Sequence, residues 1–499
     1  MGKRYAEAGG ARPFGQHDVA PHNARTYYCV MRFLNRTGEL AQLDALANRE
    51  EGGLAVLWGR RRVGKTRLLL EWCRGHRGLY TVADSSAPAV QRRYVAQAIG
   101  ERLGGFAEVE YPDWRALLRA LARACSREGF RGPLVFDELP YLVTVDPSLA
   151  TVLQAWIDHE AREARLIVAV CGSAQHMMQG LALDASAPLF GRASVILPVT
   201  PMSPAALAKG LGLREARDAV AAFAAWGGVP RYWELAEPYG GDLDRAVAEL
   251  VLDPLGPLHR EPDRLLAEEL PQAGALRPVL DAIGSGAHRV SEIGGRLGQP
   301  ATSLGRPLGR LIELGLVHRE QPFGEPERGG KRSLYRISDP FFRLWFKVVA
   351  PHRGWLAAAR RQGRLVLWRR SRGALVAEAW EELCRQAVPG LARRGGPLER
   401  WGEFAAAQRY WRGSGPEWDV VARALDGRTT VIGEVKWHER PGEDGELRGA
   451  AAALEGKGVP PGVEGEVVRV VFVPVRPRGR RERHGVVGID AADVLGALG

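Results

Sequence analysis

The sequence predicts an α/β protein whose first unit is a parallel sheet, and two observations carry that prediction. Between residues 54 and 200, short apolar runs (54–58, 79–82, 134–136, 166–170 and 195–197) alternate with stretches of helical periodicity. That is the pattern of strands joined by crossover helices. The first run also leads straight into a glycine-bounded turn and then a helical stretch, the order in which a phosphate-binding loop is built.

The remaining elements follow in chain order. Residues 1–30 carry no periodic apolar face and read as a disordered tail. Met31 opens a cleaner pattern and reads as a start, ahead of an amphipathic helix carrying Leu40, Leu43 and Leu46. A helical stretch from about 201 to 269 is punctuated by Gly227-Gly228-Val229-Pro230. The pattern then changes. One helix carries Leu276, Val279, Leu280 and Ile283, a second spans 290–297, and a third spans about 302–314 with Leu304, Leu308, Leu311 and Ile312 at helical spacing. Pro307 fits that third helix only near its first turn. Strands at 317–320 and 333–337, joined by a Gly-, Pro- and Arg-rich loop, complete a winged helix-turn-helix pattern. An aromatic helix (Phe341, Phe342, Trp345, Phe346) reads as packing. A longer helix at about 375–388 and a β-rich end with a strand at 467–475 follow.

Composition narrows the class. The chain has 499 residues, 45% hydrophobic and 25% charged, a length for roughly two to four soluble domains. No apolar run reaches the ~18–20 residues that cross a bilayer, and no apolar signal core opens the chain; the expected location is cytoplasmic. Cys29, Cys73, Cys125, Cys171 and Cys384 are scattered singly, so neither a zinc site nor a disulfide framework is implied. The net charge of +11 permits a nucleic-acid partner without establishing one. Arginine supplies nearly all the positive charge; lysine occurs only at 3, 65, 209, 331, 347, 436 and 457. A chain that writes arginine almost everywhere keeps lysine where a compact ammonium is needed. Lys65 and Lys436 lie inside motifs.

Gly59-Arg60-Arg61-Arg62-Val63-Gly64-Lys65-Thr66 matches GxxxxGK[ST] in full, with a strand before it and a helix after it. Glycines let the backbone wrap a phosphate, and amides at a helix N-terminus point at the anion. Lys65 is expected to reach the β- and γ-phosphates of ATP and Thr66 to ligand Mg²⁺. The run Leu134-Val135-Phe136 delivers Asp137 and Glu138 at a strand end. Asp137 is the expected metal holder and Glu138 the base that activates water. Ser173, after the run 166–170, reads either as a γ-phosphate sensor or as a helix cap. Arg192 is a candidate arginine finger, in cis or in trans.

The chain resembles the archaeal-type P-loop ATPases of archaea and bacteria that carry a C-terminal restriction-endonuclease-like domain. The residues that carry the resemblance are Phe33-Leu34-Asn35-Arg36 before Glu39-Leu40, 59–66, Phe136-Asp137-Glu138, Gly172-Ser173 and 188–192. Gly227-Gly228-Val229-Pro230, Ser338-Asp339-Pro340-Phe341-Phe342 and the block 418–437 complete the set. The resemblance implies an ATPase core with a helical lid, similar to the AAA+ and signalling-ATPase group, then a winged helix and a nuclease-like module. The expected domains are therefore a tail at 1–30, the ATPase core at 31–200, a lid and linker at 201–270, the winged helix at 271–345 and the α/β nuclease-like domain at 346–499.

The block 418–437 reads as a hairpin about Asp426-Gly427. If Leu425 faces Arg428, paired residue numbers sum to 853. Asp419 then lies opposite Glu434, with Lys436 on the same face. Opposed carboxylates, ~5 Å apart at Cβ, repel unless a cation joins them. Asp…Glu-x-Lys is the core of the PD-(D/E)xK nuclease site, in which two acids hold Mg²⁺ or Mn²⁺ beside the lysine. The other reading is a solvent-facing hairpin whose lysine bridges the acids. The resemblance alone adds Glu381 as the acid of the preceding helix.

Two functions compete. In one, ATP turnover is coupled to DNA binding or cleavage, with Arg306, Arg310, Arg328, Lys331 and Arg332 as contacts. In the other, a signalling ATPase forms nucleotide-dependent homo-oligomers and its nuclease-like domain only binds.

Overall fold

The structure is a computed structural model that describes residues 33–269, 276–326, 332–438 and 444–499 apart from 478 and 480. The expected tail at 1–30 and the start at Met31 lie outside the described residues, as do Arg328 and Lys331.

The first unit is a sheet of β1 (Gly53–Trp58), β2 (Leu79–Val82), β3 (Pro133–Asp137), β4 (Ile167–Gly172) and β5 (Ala193–Pro198), in the order β2-β3-β4-β1-β5 with every pair parallel. Period-two alternation explains why the strands read as continuous apolar runs. Leu54, Val56, Leu134, Phe136, Val168 and Val170 bury on one face, while Ala55, Leu57, Val135, Ile167, Ala169 and Cys171 bury on the other. With β1 in contact with both β4 and β5, the ends of β1, β3 and β4 stand side by side, and the candidate site residues lie at those ends.

Helices Pro204–Gly210, Ala216–Trp226, Pro230–Ala236, Leu243–Leu250 and Glu261–Glu269 follow. Next come Arg277–Gly284, Val290–Leu297 and Gly305–Glu313, then the antiparallel pair β6 (Val317–Glu320) and β7 (Leu334–Ile337). A short 3₁₀ turn, Ala301–Leu304, precedes the third helix, so the single element expected from 302 is two. Pro307 is then the third residue of its helix, where its missing N–H costs nothing. Phe341, Phe342, Trp345 and Phe346 are at most 1% exposed. They sit in one core with Trp226, Tyr232 and Trp233 from the 201–269 helices, and with Leu280, Ile283 and Leu308 from the three-helix unit.

The helix expected at 375–388 runs from Arg361 to Leu391. Its extent was hidden because its buried face changes partner along its length. Trp368 and Leu375 join the aromatic core, whereas Val376, Trp380, Leu383 and Val388 join the core of the C-terminal sheet. That second core also takes in Ala219, Val220 and Ala224 of helix Ala216–Trp226. Neither core stops at residue 345.

The last sheet has the order β12-β13-β11-β10-β9-β8. Its strands are β8 (Gln408–Tyr410), β9 (Trp418–Arg423), β10 (Thr429–Val435), β11 (Glu466–Phe472), β12 (Glu482–Arg483) and β13 (Val486–Ile489). β10 pairs antiparallel with β9 and parallel with β11. Val420, Val431, Val470 and Phe472 face helix Arg361–Leu391, while Leu447, Ala450 and Ala451 of helix Asp444–Lys457 cover Val471 and Val473 on the other side.

Two partly buried carboxylates join these units. Glu320 on β6 pairs with Arg336 on β7 at 2.8 Å, Arg409 on β8 at 3.6 Å and Arg385 on the long helix at 3.7 Å. Glu378 on that helix meets Arg336 at 3.3 Å, Arg343 at 3.6 Å and Lys347. Burial pushes the Glu378 carboxyl up, but Arg343, Lys347 and Arg336 outweigh it and hold it at about 2. A depressed carboxyl stabilises the fold above its unfolded value, and that stabilisation is lost as pH falls through the folded value. Glu378→Gln is therefore expected to lower the stability at pH 7 by roughly 2–3 kcal/mol. The deficit should shrink as pH falls from about 4.5 toward 2. Denaturant titration at several pH values checks it; a deficit that grows with acid contradicts it.

Candidate active sites

The phosphate loop begins where β1 runs out. Gly59 has φ +155, and a Cβ there would stand 2.3 Å from the Val199 carbonyl oxygen, so only glycine lets the loop pass its neighbour. Gly64, at φ +98, precedes helix Lys65–His76. The Lys65 ammonium donates to the carbonyls of Gly59 at 2.8 Å and Arg60 at 3.1 Å. Thr66 Oγ1 donates to Asp137 Oδ2 at 2.8 Å, and the same oxygen accepts from Tyr80 Oη at 2.7 Å. Burial, with Asp137 beside it, drives the Tyr80 phenol far above its ordinary range. It therefore stays a proton donor to that carboxylate. Asp137 is 1% exposed, and its Oδ1 accepts from the Glu138 amide at 2.9 Å. A threonine hydroxyl and a buried carboxylate side by side make a donor set that suits a hard cation such as Mg²⁺.

Glu138 holds a left-handed conformation, φ +54. Its Oε1 accepts from Ser173 Oγ at 2.5 Å and its Oε2 from the Ser173 amide at 3.2 Å. Ser173 makes no side-chain cap of the helix that follows; it binds the glutamate. Arg192 is engaged elsewhere. Its Nε and Nη2 each donate to Asp158 at 2.8 Å, and its Nη1 donates to the Pro188 and Phe190 carbonyls. All three nitrogens are engaged there.

The loop's side chains reach far from the core. Arg60 pairs with Asp339 at 2.8 Å, both side chains at most 9% exposed, and lies 4.8 Å over the Phe342 ring. Arg61 donates to Tyr141 Oη at 2.5 Å. Arg62 pairs with the wholly buried Glu261. From the N-terminal side, Arg36 donates to the Val63 carbonyl at 2.9 Å and the Thr200 carbonyl at 2.6 Å. Pro230 of the Gly-Gly-Val-Pro segment approaches Gly64, and Gly227 approaches Pro340 and Asp339.

Residues 33–235 match a family described as an ATPase domain predominantly from Archaea. This stretch is an ATPase-type domain. Residues 345–447 match a family described as Archaea bacterial proteins of unknown function. An uncharacterized protein of Methanocaldococcus jannaschii is 23% identical over 416 residues, 83% of this chain and 89% of its own length. Among solved structures, the Walker-type ATPase PABY2304 of Pyrococcus abyssi is 19% identical with a TM-score of 0.47, over 63% of this chain and 96% of that one. The ORC2 protein of Aeropyrum pernix is 16% identical with a TM-score of 0.44, over 69% and 98%.

In the C-terminal sheet the hairpin register is the expected one: Thr430 faces Arg423, Val431 Ala422, Ile432 Val421 and Gly433 Val420. The loop is longer than two residues, since the Ala424 amide bonds the Thr429 carbonyl and Leu425 bonds Glu403. Asp419 Oδ2 accepts from the Val435 amide at 2.9 Å. Each Glu434 oxygen meets a lysine, Oε1 Lys436 at 2.7 Å and Oε2 Lys457. Glu381 lies 3.8 Å from Arg385. Burial raises the Glu381 and Asp419 carboxyls, and Asp419 raises Glu381 further as Glu434 raises Asp419. Burial also pushes Glu434 up, but the two lysines outweigh it and its carboxyl is lowered. The three acids share one electrostatic environment. Among the described residues, however, no three of His, Cys, Asp and Glu are grouped to hold an ion. Lys457 lies in no motif, and its scarcity as a residue type is the one signal in the sequence that marks it.

Lys65→Ala is expected to abolish ATP turnover, and Glu138→Gln to keep ATP binding while slowing hydrolysis ~100–1000-fold. Steady-state phosphate release with a parallel binding titration checks both. Full turnover by the Glu138 variant removes it from the role of base.

Proposed function

We propose that this protein is a Mg²⁺-dependent ATP hydrolase whose nucleotide state governs how its C-terminal units engage DNA. The observation that carries the coupling is the buried ion pair between Arg60 in the phosphate loop and Asp339 at the end of the hairpin unit. Lys65 gives up its two carbonyls to hold the β- and γ-phosphates. Magnesium held by Thr66 and Asp137 would neutralise charge on the transferred phosphoryl group. Glu138 takes the proton of the attacking water after leaving Ser173, which now engages both its oxygens.

The unit of three helices and hairpin, read as a winged helix at 271–345, is the proposed DNA contact. Arg306 is exposed. Arg310 pairs with Glu313 and Arg332 with Glu325 at a half-exposed surface, ties weak enough for phosphate to displace. With Arg328 and Lys331, about five phosphates are neutralised, and log K should fall against log salt with a slope near −4 to −5. Affinity for a short duplex, measured against salt with and without an ATP analogue, tests the reading. Binding that ignores salt, or none at low salt, removes the DNA contact. An affinity indifferent to the analogue removes the coupling.

A second reading, a regulatory ATPase with a C-terminal domain that binds without cutting, is favoured by the two lysines on Glu434. In the first reading Glu381, Asp419 and Glu434 take one Mg²⁺ or Mn²⁺ beside Lys436. In a full chain carrying Lys65→Ala and Asp137→Ala, Mn²⁺ should then raise the melting temperature, and Asp419→Ala should erase the rise. No rise, with no nicking of DNA, leaves the binding-only reading.

A further inference from the structure

The phosphate loop carries arginines where an anion must enter, and two of them are held by carboxylates from beyond the parallel sheet. Arg60 is committed twice. Its carbonyl accepts from Lys65, and its guanidinium pairs with Asp339, 279 residues on. Arg62 is held by Glu261, at the start of helix Glu261–Glu269.

Asp339 is itself a junction. Its Oδ2 holds Arg60, while its Oδ1 accepts from the Phe342 amide at 3.0 Å and caps helix Pro340–Leu344. One turn on, Arg343 donates to the Ile337 carbonyl at the end of β7 and pairs with Glu382 on the long helix at 2.8 Å. A change at Asp339 therefore reaches both the hairpin and the helix that bears Glu381.

A nucleoside triphosphate disturbs these contacts together. Lys65 turns to the phosphates and releases the Gly59 and Arg60 carbonyls. The phosphate charge attracts both guanidinium groups and repels both carboxylates, most strongly at the Arg60–Asp339 pair, whose side chains are at most 9% exposed. We propose that Arg60–Asp339 and Arg62–Glu261 form a two-point latch that a nucleoside triphosphate opens, releasing the hairpin unit and the long helix from the phosphate loop. The latch rests on the coupling reading above, yet the two fail separately, because the latch is read from nucleotide affinity with no DNA present.

If latch and triphosphate compete, removing a latch carboxylate must tighten triphosphate binding, since coupling between two sites is reciprocal. The test is titration of the full chain with a non-hydrolysable ATP analogue and Mg²⁺, comparing the unaltered protein with Asp339→Asn and Glu261→Gln. Asparagine keeps an oxygen for the Phe342 amide, so the cap survives while the charge goes. Each variant is expected to bind roughly tenfold more tightly. On the unaltered protein, hydrogen exchange at the Phe342 and Arg343 amides, both bonded to Asp339, should speed up when the analogue binds. Unchanged or weaker binding by the variants, or exchange at these amides that does not respond to the analogue, overturns the latch.

Discussion

A buried guanidinium in a phosphate loop is tolerable only with a carboxylate beside it, and here that carboxylate comes from the far half of the chain. The Arg60–Asp339 pair is the constraint on which the arrangement turns. Leaving either charge buried alone is costly, typically 3–5 kcal/mol, so the loop and the segment after β7 must fold against each other. Arg36 repeats the device from the N-terminal side by gripping the Val63 carbonyl. The loop is thus shaped by residues on both flanks of the parallel sheet as well as by its own glycines.

The same economy recurs at the C-terminal end. Glu320 and Glu378 each gather three cations from separate elements, and Glu434 gathers two. The hairpin β6–β7 is joined to the last sheet by Glu320 and by the Phe323 amide, which donates to the Arg409 carbonyl at 2.7 Å. Displacement of Asp339 would therefore bear on a unit already fastened to the strands that carry Asp419 and Glu434. A chain with so many arginines uses a few acids, buried or partly buried, as nodes.

What could be read in advance was local. The phosphate loop announces itself because every residue it needs lies within eight positions. Strands β1 to β4 of the first sheet announce themselves because both faces are buried and the runs are unbroken. The 418–437 hairpin kept its register even though its loop is longer than expected, since a one-residue slip would turn every side chain of the buried strand β10 to the opposite face. What could not be read was tertiary. No spacing links Arg60 to Asp339, Arg62 to Glu261 or Glu434 to Lys457. Ser173 could be placed at a strand tip, but its partner Glu138 is fixed by the adjacency of β3 and β4. The long helix escaped because its two halves face different cores.

In the proposed cycle one loop both binds the triphosphate and senses it for the rest of the chain. A crystal structure with a non-hydrolysable ATP analogue and Mg²⁺ tests it most directly. Phosphates are expected in the 59–66 loop, with Lys65 turned away from the Gly59 and Arg60 carbonyls, Mg²⁺ beside Thr66 and Asp137, and Arg60 parted from Asp339. Nucleotide bound elsewhere, or bound in the loop with the Arg60–Asp339 pair intact at 2.8 Å, would contradict it.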